Sequence, residues 1–111
     1  DGAVAATAAE RYIEEQRDFQ ETVVESEKPV LMGFWTPEFG DSLDKLNKVD
    51  AANREAGNKY KFMEIDITRK KGWAKKYGVV VNAEKTACVI ELNKGELVRE
   101  IALDQDLAAQ M

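Results

Sequence analysis

The stretch KPVLMGFW, residues 28–35, constrains the fold more than any other part of the chain. After its proline it runs through apolar and small residues, without the polar alternation of a strand that has one wet face. Such a run reads as a strand buried on both faces, the habit of strands in parallel sheets. It therefore requires helices on both sides, and the flanking sequence offers them. Residues 41–56 place Leu43, Leu46, Val49, Ala52 and Ala56 on one helical stripe, with Asp41 or Ser42 to cap the start and Gly57 to end it. YKFMEIDI (60–67), rich in β-branched and aromatic residues, reads as a second strand. Residues 68–77 predict a short helix with Trp73 and Tyr77 one turn apart and Gly78 as its stop.

VVVNAEK (79–85) is irregular or starts an edge strand, and TACVIEL (86–92), NKG (93–95) and ELVREI (96–101) form a hairpin with Gly95 at a positive φ. In the first of these strands Cys88 and Ile90 share one face, while Ala87, Val89 and Glu91 share the other. Asp104 is placed to cap a short final helix. Ahead of the apolar run, residues 3–24 lack Gly and Pro and are rich in Ala, Glu and Gln. Ala9, Ile13 and Gln16 share a face that Phe19, Val23 and Val24 continue, as one long helix or as two with a break near Arg17–Asp18. Asp18 and Glu21 there give a cap-like start. Strands alternating with helices and closed by a hairpin argue for an α/β sheet with a right-handed crossover.

Several function classes are excluded at once. The 111 residues amount to one ordinary domain, and a net charge of −5 with a pI near 4.8 leaves no basic footprint for nucleic acid. No apolar run approaches the ~18 residues of a membrane span. Histidine is absent, which removes His-based nucleophile pairs and the commonest zinc ligand. Cys88 is the only cysteine, so there is no intrachain disulfide, no C-x-x-C pair and no thiolate cluster. The small-residue start DGAVAATAAE has the look of a mature end left by presequence cleavage, although a chain cut for other reasons would look the same. That favours an organelle, a plastid among them, or a secretory lumen as its compartment.

The order of elements and four pieces of sequence resemble the thioredoxin family, over residues 18–107. DFQETVVESEKPVLMGFWTP is similar to the family's early helix, its KPVLVDFWAP strand and the start of its active-site turn. KYG (76–78) is similar to the family's KYGI, and NKGELV (93–98) to its KNGEVV. The resemblance implies a three-layer sandwich: a central mixed sheet with helices on both faces, carried by residues 18–111 and preceded by a helical extension at 1–17. It also implies a redox site at the head of the helix that begins near Asp41. In the family that site reads W-C-G-P-C, the helix N-terminus lowers the pKa of the first thiol, and the second thiol resolves the mixed disulfide.

Here the equivalent residues are Glu38, Phe39, Gly40, Asp41 and Ser42. Phe39 takes the place of the nucleophilic thiol and Ser42 that of the resolving thiol. Gly33 stands where the family has a buried acid, and no proline follows Pro37 to supply the family's cis-Pro loop near Lys85 or Ala87. The resemblance therefore implies a scaffold without its thiol chemistry: not an enzyme, with no cofactor and no metal. The surface Trp35, Thr36, Pro37, Glu38, Phe39, Gly40 and Asp41 becomes the candidate protein-binding site, because the family binds its substrates there.

Each candidate has a second reading. Phe39 either anchors a partner or folds back against Trp35 or the following helix. Asp41 and Ser42 are a remnant pair or a helix cap. Cys88 is a buried structural thiol or a reactive one. Glu64 and Asp66 offer two carboxylates on one strand face, too few to hold a divalent ion without further ligands. RKKGWAKKYG (69–78) docks an acidic partner or an anionic membrane surface, or is a solvated helix face. The expected function is a non-catalytic protein-binding or structural subunit of a larger assembly, multisubunit or membrane-associated. The alternatives are a Cys88-dependent monothiol enzyme or sensor, and a chaperone-like peptide binder.

Overall fold

A computed structural model describes residues 16–111. All but the last two residues of the expected extension at 1–17, and most of the long first helix, fall outside the described residues. Residues 16–19 are helical and run without a break into a π-helical turn, Gln20–Val24 (α1). The irregularity therefore lies after Phe19 and not at Arg17–Asp18. Asp18 caps nothing with its side chain. Its carbonyl accepts from Thr22 Oγ1 at 2.6 Å and its carboxylate pairs with Lys70 at 3.3 Å. The wider π turn brings Val24 onto the face occupied by Phe19. A Cβ placed on Gly95 would meet Val24 at 2.9 Å and Phe19 at 3.7 Å, so both side chains press on the tip of the hairpin.

The remaining elements follow in order: β1 (Val30–Trp35), α2 (Ser42–Glu55), β2 (Lys61–Asp66), α3 (Lys71–Lys76), β3 (Cys88–Asn93), β4 (Glu96–Ile101) and α4 (Leu107–Gln110). The four strands form one sheet in the order β2-β1-β3-β4, with β1 parallel to β2 and the other neighbours antiparallel. β1 is interior to the sheet, and Val30 to Phe34 are buried without exception. Its side chains alternate between two cores. Val30, Met32 and Phe34 join Cys88, Ile90, Leu92, Ile65, Phe19, Val23 and Trp73 under α1 and α3. Leu31 joins Ala87, Val89, Ile101, Leu46 and Val49 under α2 and α4. This is the expected three-layer arrangement, with Cys88 and Ala87 on the faces that alternation assigned them.

Two aromatic contacts seat α3. The Trp73 and Phe19 rings meet edge to face at 5.3 Å, and the Tyr77 hydroxyl donates to the Gly95 carbonyl at 2.6 Å. The helix starts later than the sequence suggested. Asp66 Oδ1 accepts from both the amide (2.9 Å) and the hydroxyl (2.6 Å) of Thr68, and the Asp66 carbonyl takes the amides of Arg69 and Lys70. That local turn competes with helix and delays it to Lys71. The hairpin turn uses two positive-φ residues, Lys94 (54°) and Gly95 (85°), as a two-residue turn that matches strand twist requires.

The chain end covers the second core. Asp106, two residues beyond the expected Asp104, caps α4 by accepting from the Ala108 amide at 3.0 Å. Gln110 grips both backbone groups of Ala102, at 2.8 and 2.9 Å, and Arg99 joins Glu91 to the carbonyl of Gln110. No helix among the described residues is long and apolar enough to cross a membrane.

Candidate functional site

The segment from Trp35 to Ser42 carries the chain from the end of β1 to the head of α2. It closes as two tight turns, in which the Phe39 amide meets the Thr36 carbonyl at 3.4 Å and the Ser42 amide meets the Phe39 carbonyl at 3.1 Å. The candidate residues do not form one exposed patch. Thr36 is buried, Trp35 and Phe39 are half-buried, and Pro37, Glu38, Gly40 and Asp41 are exposed. Trp35 packs toward the core beneath α2.

Ser42 is fully buried, and its hydroxyl has two partners. It accepts from the Thr36 amide at 3.0 Å and donates to the Thr86 carbonyl at 2.6 Å. Neither Asp41 nor Ser42 caps α2 through its side chain. Ser42 instead ties three segments together: the end of β1, the head of α2 and the loop before β3. Beside it, Lys45 Nζ donates to Thr86 Oγ1 at 2.7 Å and lies 3.4 Å from the Asp41 carboxylate. Thr86 holds the Asp41 carboxyl below the usual carboxylate range through its hydroxyl. Partial desolvation opposes this, and the Lys45 ammonium adds to it. Thr86 and Lys45 were absent from the sequence reading. Thr86 lies 44 residues from Ser42, so no local pattern could have linked them.

Gly33 has a packing reason. A Cβ there would stand 2.9 and 3.0 Å from the two methyls of Leu46, a side chain that is itself fully buried. α2 sits close on the β1 backbone at this point, and any side chain here would require Leu46 to move. Asp66, the other acid of interest, accepts two hydrogen bonds from Thr68, which lower its pKa, while Glu64 is exposed.

Cys88 lies in the core on the opposite side of the sheet, cross-strand from Phe34 and only 2% exposed. It lines a cavity of about 210 Å3 whose mouth carries the Lys85–Glu100 ion pair, with a separation of 2.5 Å. Burial first, and then the negative charge of Glu100, push the thiol up to about 11, with Lys85 opposing. A thiol so placed is neutral near pH 7 and shielded from solvent, the profile of a structural cysteine.

The arrangement of sheet, crossover and helices can now be set beside known structures. The X-ray structure of Fasciola hepatica thioredoxin superposes with a TM-score of 0.59 at 16% sequence identity, covering 82% of this chain and 80% of that one. The fold is thioredoxin-like. No protein-family model matches the chain. At this identity the likeness concerns the fold alone.

Proposed function

We propose that the protein is a non-catalytic, thioredoxin-like binding domain that serves as a structural or recruiting subunit of a larger protein assembly. One observation carries the reading. At the position where the resemblance puts a resolving thiol, a buried serine hydroxyl bonds to Thr36 and Thr86 and so holds the scaffold together. Thiol–disulfide exchange needs a thiolate that attacks sulfur. Phe39 and Ser42 offer none, and Cys88 is buried and shifted toward the neutral thiol. The Cys88-dependent alternative draws no support from a thiol in that setting.

The resemblance puts a partner-binding surface at this turn, of which Pro37, Glu38, Gly40 and Asp41 are exposed. A native extract resolved by size, with the co-migrating chains identified, tests the proposal. A stoichiometric assembly well above the 12.5 kDa of the chain is expected. Migration at the mass of the free chain contradicts it.

A further inference from the structure

The turn at the head of α2 is not where the described surface is most apolar. Three large apolar side chains are well exposed: Val80 at 63%, Leu97 at 51% and Val98 at 53%. Val80 follows α3, in the segment that leaves Gly78 at a φ of +65°. With Ile67, Ala74 and Val79 it floors a shallow groove of about 450 Å3, and Lys71 and Lys75 stand on its rim. Val79 and Val80 also wall the neighbouring cavity, which Leu97 borders on its far side. That cavity is also lined by Asn82, Lys85 and Glu100, so the apolar groove beside α3 ends there, short of the edge strand β4.

The charges on α3 and just before it divide into two sets. Residues 69–76 carry five cations and no carboxylate, in a chain whose net charge is −5. Three of the five have internal partners. Arg69 lies 3.9 Å from Asp66, Lys70 pairs with Asp18 and lies over the Trp73 ring, and Lys76 lies over the Phe19 ring. Lys71 and Lys75 form no ion pair among the described residues, and both are exposed at the groove. Lys75, in the last turn of α3, is favoured by the helix dipole, whereas Lys71 at the first position is not, and the two like charges one turn apart repel each other.

We infer that this groove docks an acidic amphipathic segment of a partner protein, its apolar residues seated on Ile67, Ala74, Val79 and Val80 and its carboxylates on Lys71 and Lys75. The apolar floor supplies affinity, and the two lysines supply register and selection against basic segments. A bilayer fits less well. The apolar surface is concave where a membrane anchor protrudes, two uncompensated lysines fall short of a polybasic cluster, and the net charge of the chain repels an anionic surface.

The inference rests on the reading of the protein as a binding domain, but it uses a different surface from the turn at 35–41. A negative result at the groove leaves that reading standing. Disulfide reductase activity would remove the reading without touching the groove.

The test uses a labelled synthetic helix with Leu at i, i+3, i+4 and i+7 and Glu elsewhere, its counterpart with Lys for Glu, and phosphatidylserine vesicles. The full chain should bind the acidic peptide, more weakly as salt rises. The Lys71→Glu/Lys75→Glu variant should bind it at least about tenfold more weakly and gain binding to the basic peptide. Val80→Asp should weaken the acidic peptide alone. The swap of preference between peptides cannot come from misfolding. Binding that ignores the charge reversal overturns the proposal, and so does failure to bind either peptide. Lysine-dependent binding to vesicles without binding to peptide assigns the groove to a membrane and overturns it. A concentration-dependent dimer abolished by the reversal assigns it to a second copy and also overturns it.

Discussion

The head of α2 and the groove beside α3 are opposite kinds of surface. At the head of α2 the polar groups are matched: buried Ser42 to Thr36 and Thr86, and the more exposed Lys45 to Thr86 and Asp41. Beside α3, apolar side chains face solvent and two cations lack partners among the described residues. The first region has the marks of a site that holds the molecule together. The second has the marks of one that waits for another molecule. In a thioredoxin-like fold the chemistry would be sought at the first, so a site's position in a fold does not by itself say what the residues there do.

Four substitutions or conditions separate the two regions. The largest effect is expected at Gly33. Gly33→Asp forces a carboxylate against Leu46 in a dry contact, and should cost about 3–5 kcal/mol in urea unfolding. A near-neutral result would mean that Leu46 yields and that the carboxylate is not held in a dry contact.

Next comes alkaline pH. Cys88 has its pKa raised from 9.0 to about 11 in the folded state. Its contribution is fully present below pH 9. The unfolded chain gives up the proton first, so stability falls as pH rises from 9 to 11, by roughly 2–3 kcal/mol. Tyr77, raised from 10.0 to about 12 by burial, extends the fall to higher pH. Cys88→Ala should flatten the first part of the curve. An unchanged curve would put Cys88 in contact with solvent and reopen a reactive role for it.

Ser42→Ala leaves the Thr36 amide and the Thr86 carbonyl without their buried partner, and should cost about 1–3 kcal/mol. Ser42→Ala without a measurable loss would break the comparison at its first term. The smallest effect is expected at the groove: Lys71→Glu/Lys75→Glu should leave stability within about 0.5 kcal/mol, because neither side chain supports the fold. A large loss there would make the lysines structural.

What the sequence made legible follows the range of the interactions involved. β1 was readable because burial on two faces writes itself into consecutive residues. The hairpin was readable because Asn93-Lys94-Gly95 is a local turn signal, and the two-sided character of β3 followed from alternation around Cys88. The late start of α3 was hidden by the small Asp66–Thr68 turn, which helical periodicity does not register. Asp104 and Asp106 are equivalent as cap signals, and only the grip of Gln110 on Ala102 fixes where α4 begins. Asn53 was missed as a buried residue. It sits on the buried side of α2 and clamps both backbone groups of Tyr60, at 2.9 and 3.2 Å, a contact no hydrophobic stripe announces. The Ser42–Thr86 tie and the groove share this limit, since each is made by segments that meet only after folding.

The central claim is that the head of α2 is a structural clamp and not a redox site. Its most direct test is the dithiol-driven reduction of a protein disulfide by the purified chain, beside an active thioredoxin at equal concentration. The account predicts the rate of the dithiol alone, with or without the chain, and the same rate for Cys88→Ala. Turnover above that rate would contradict it.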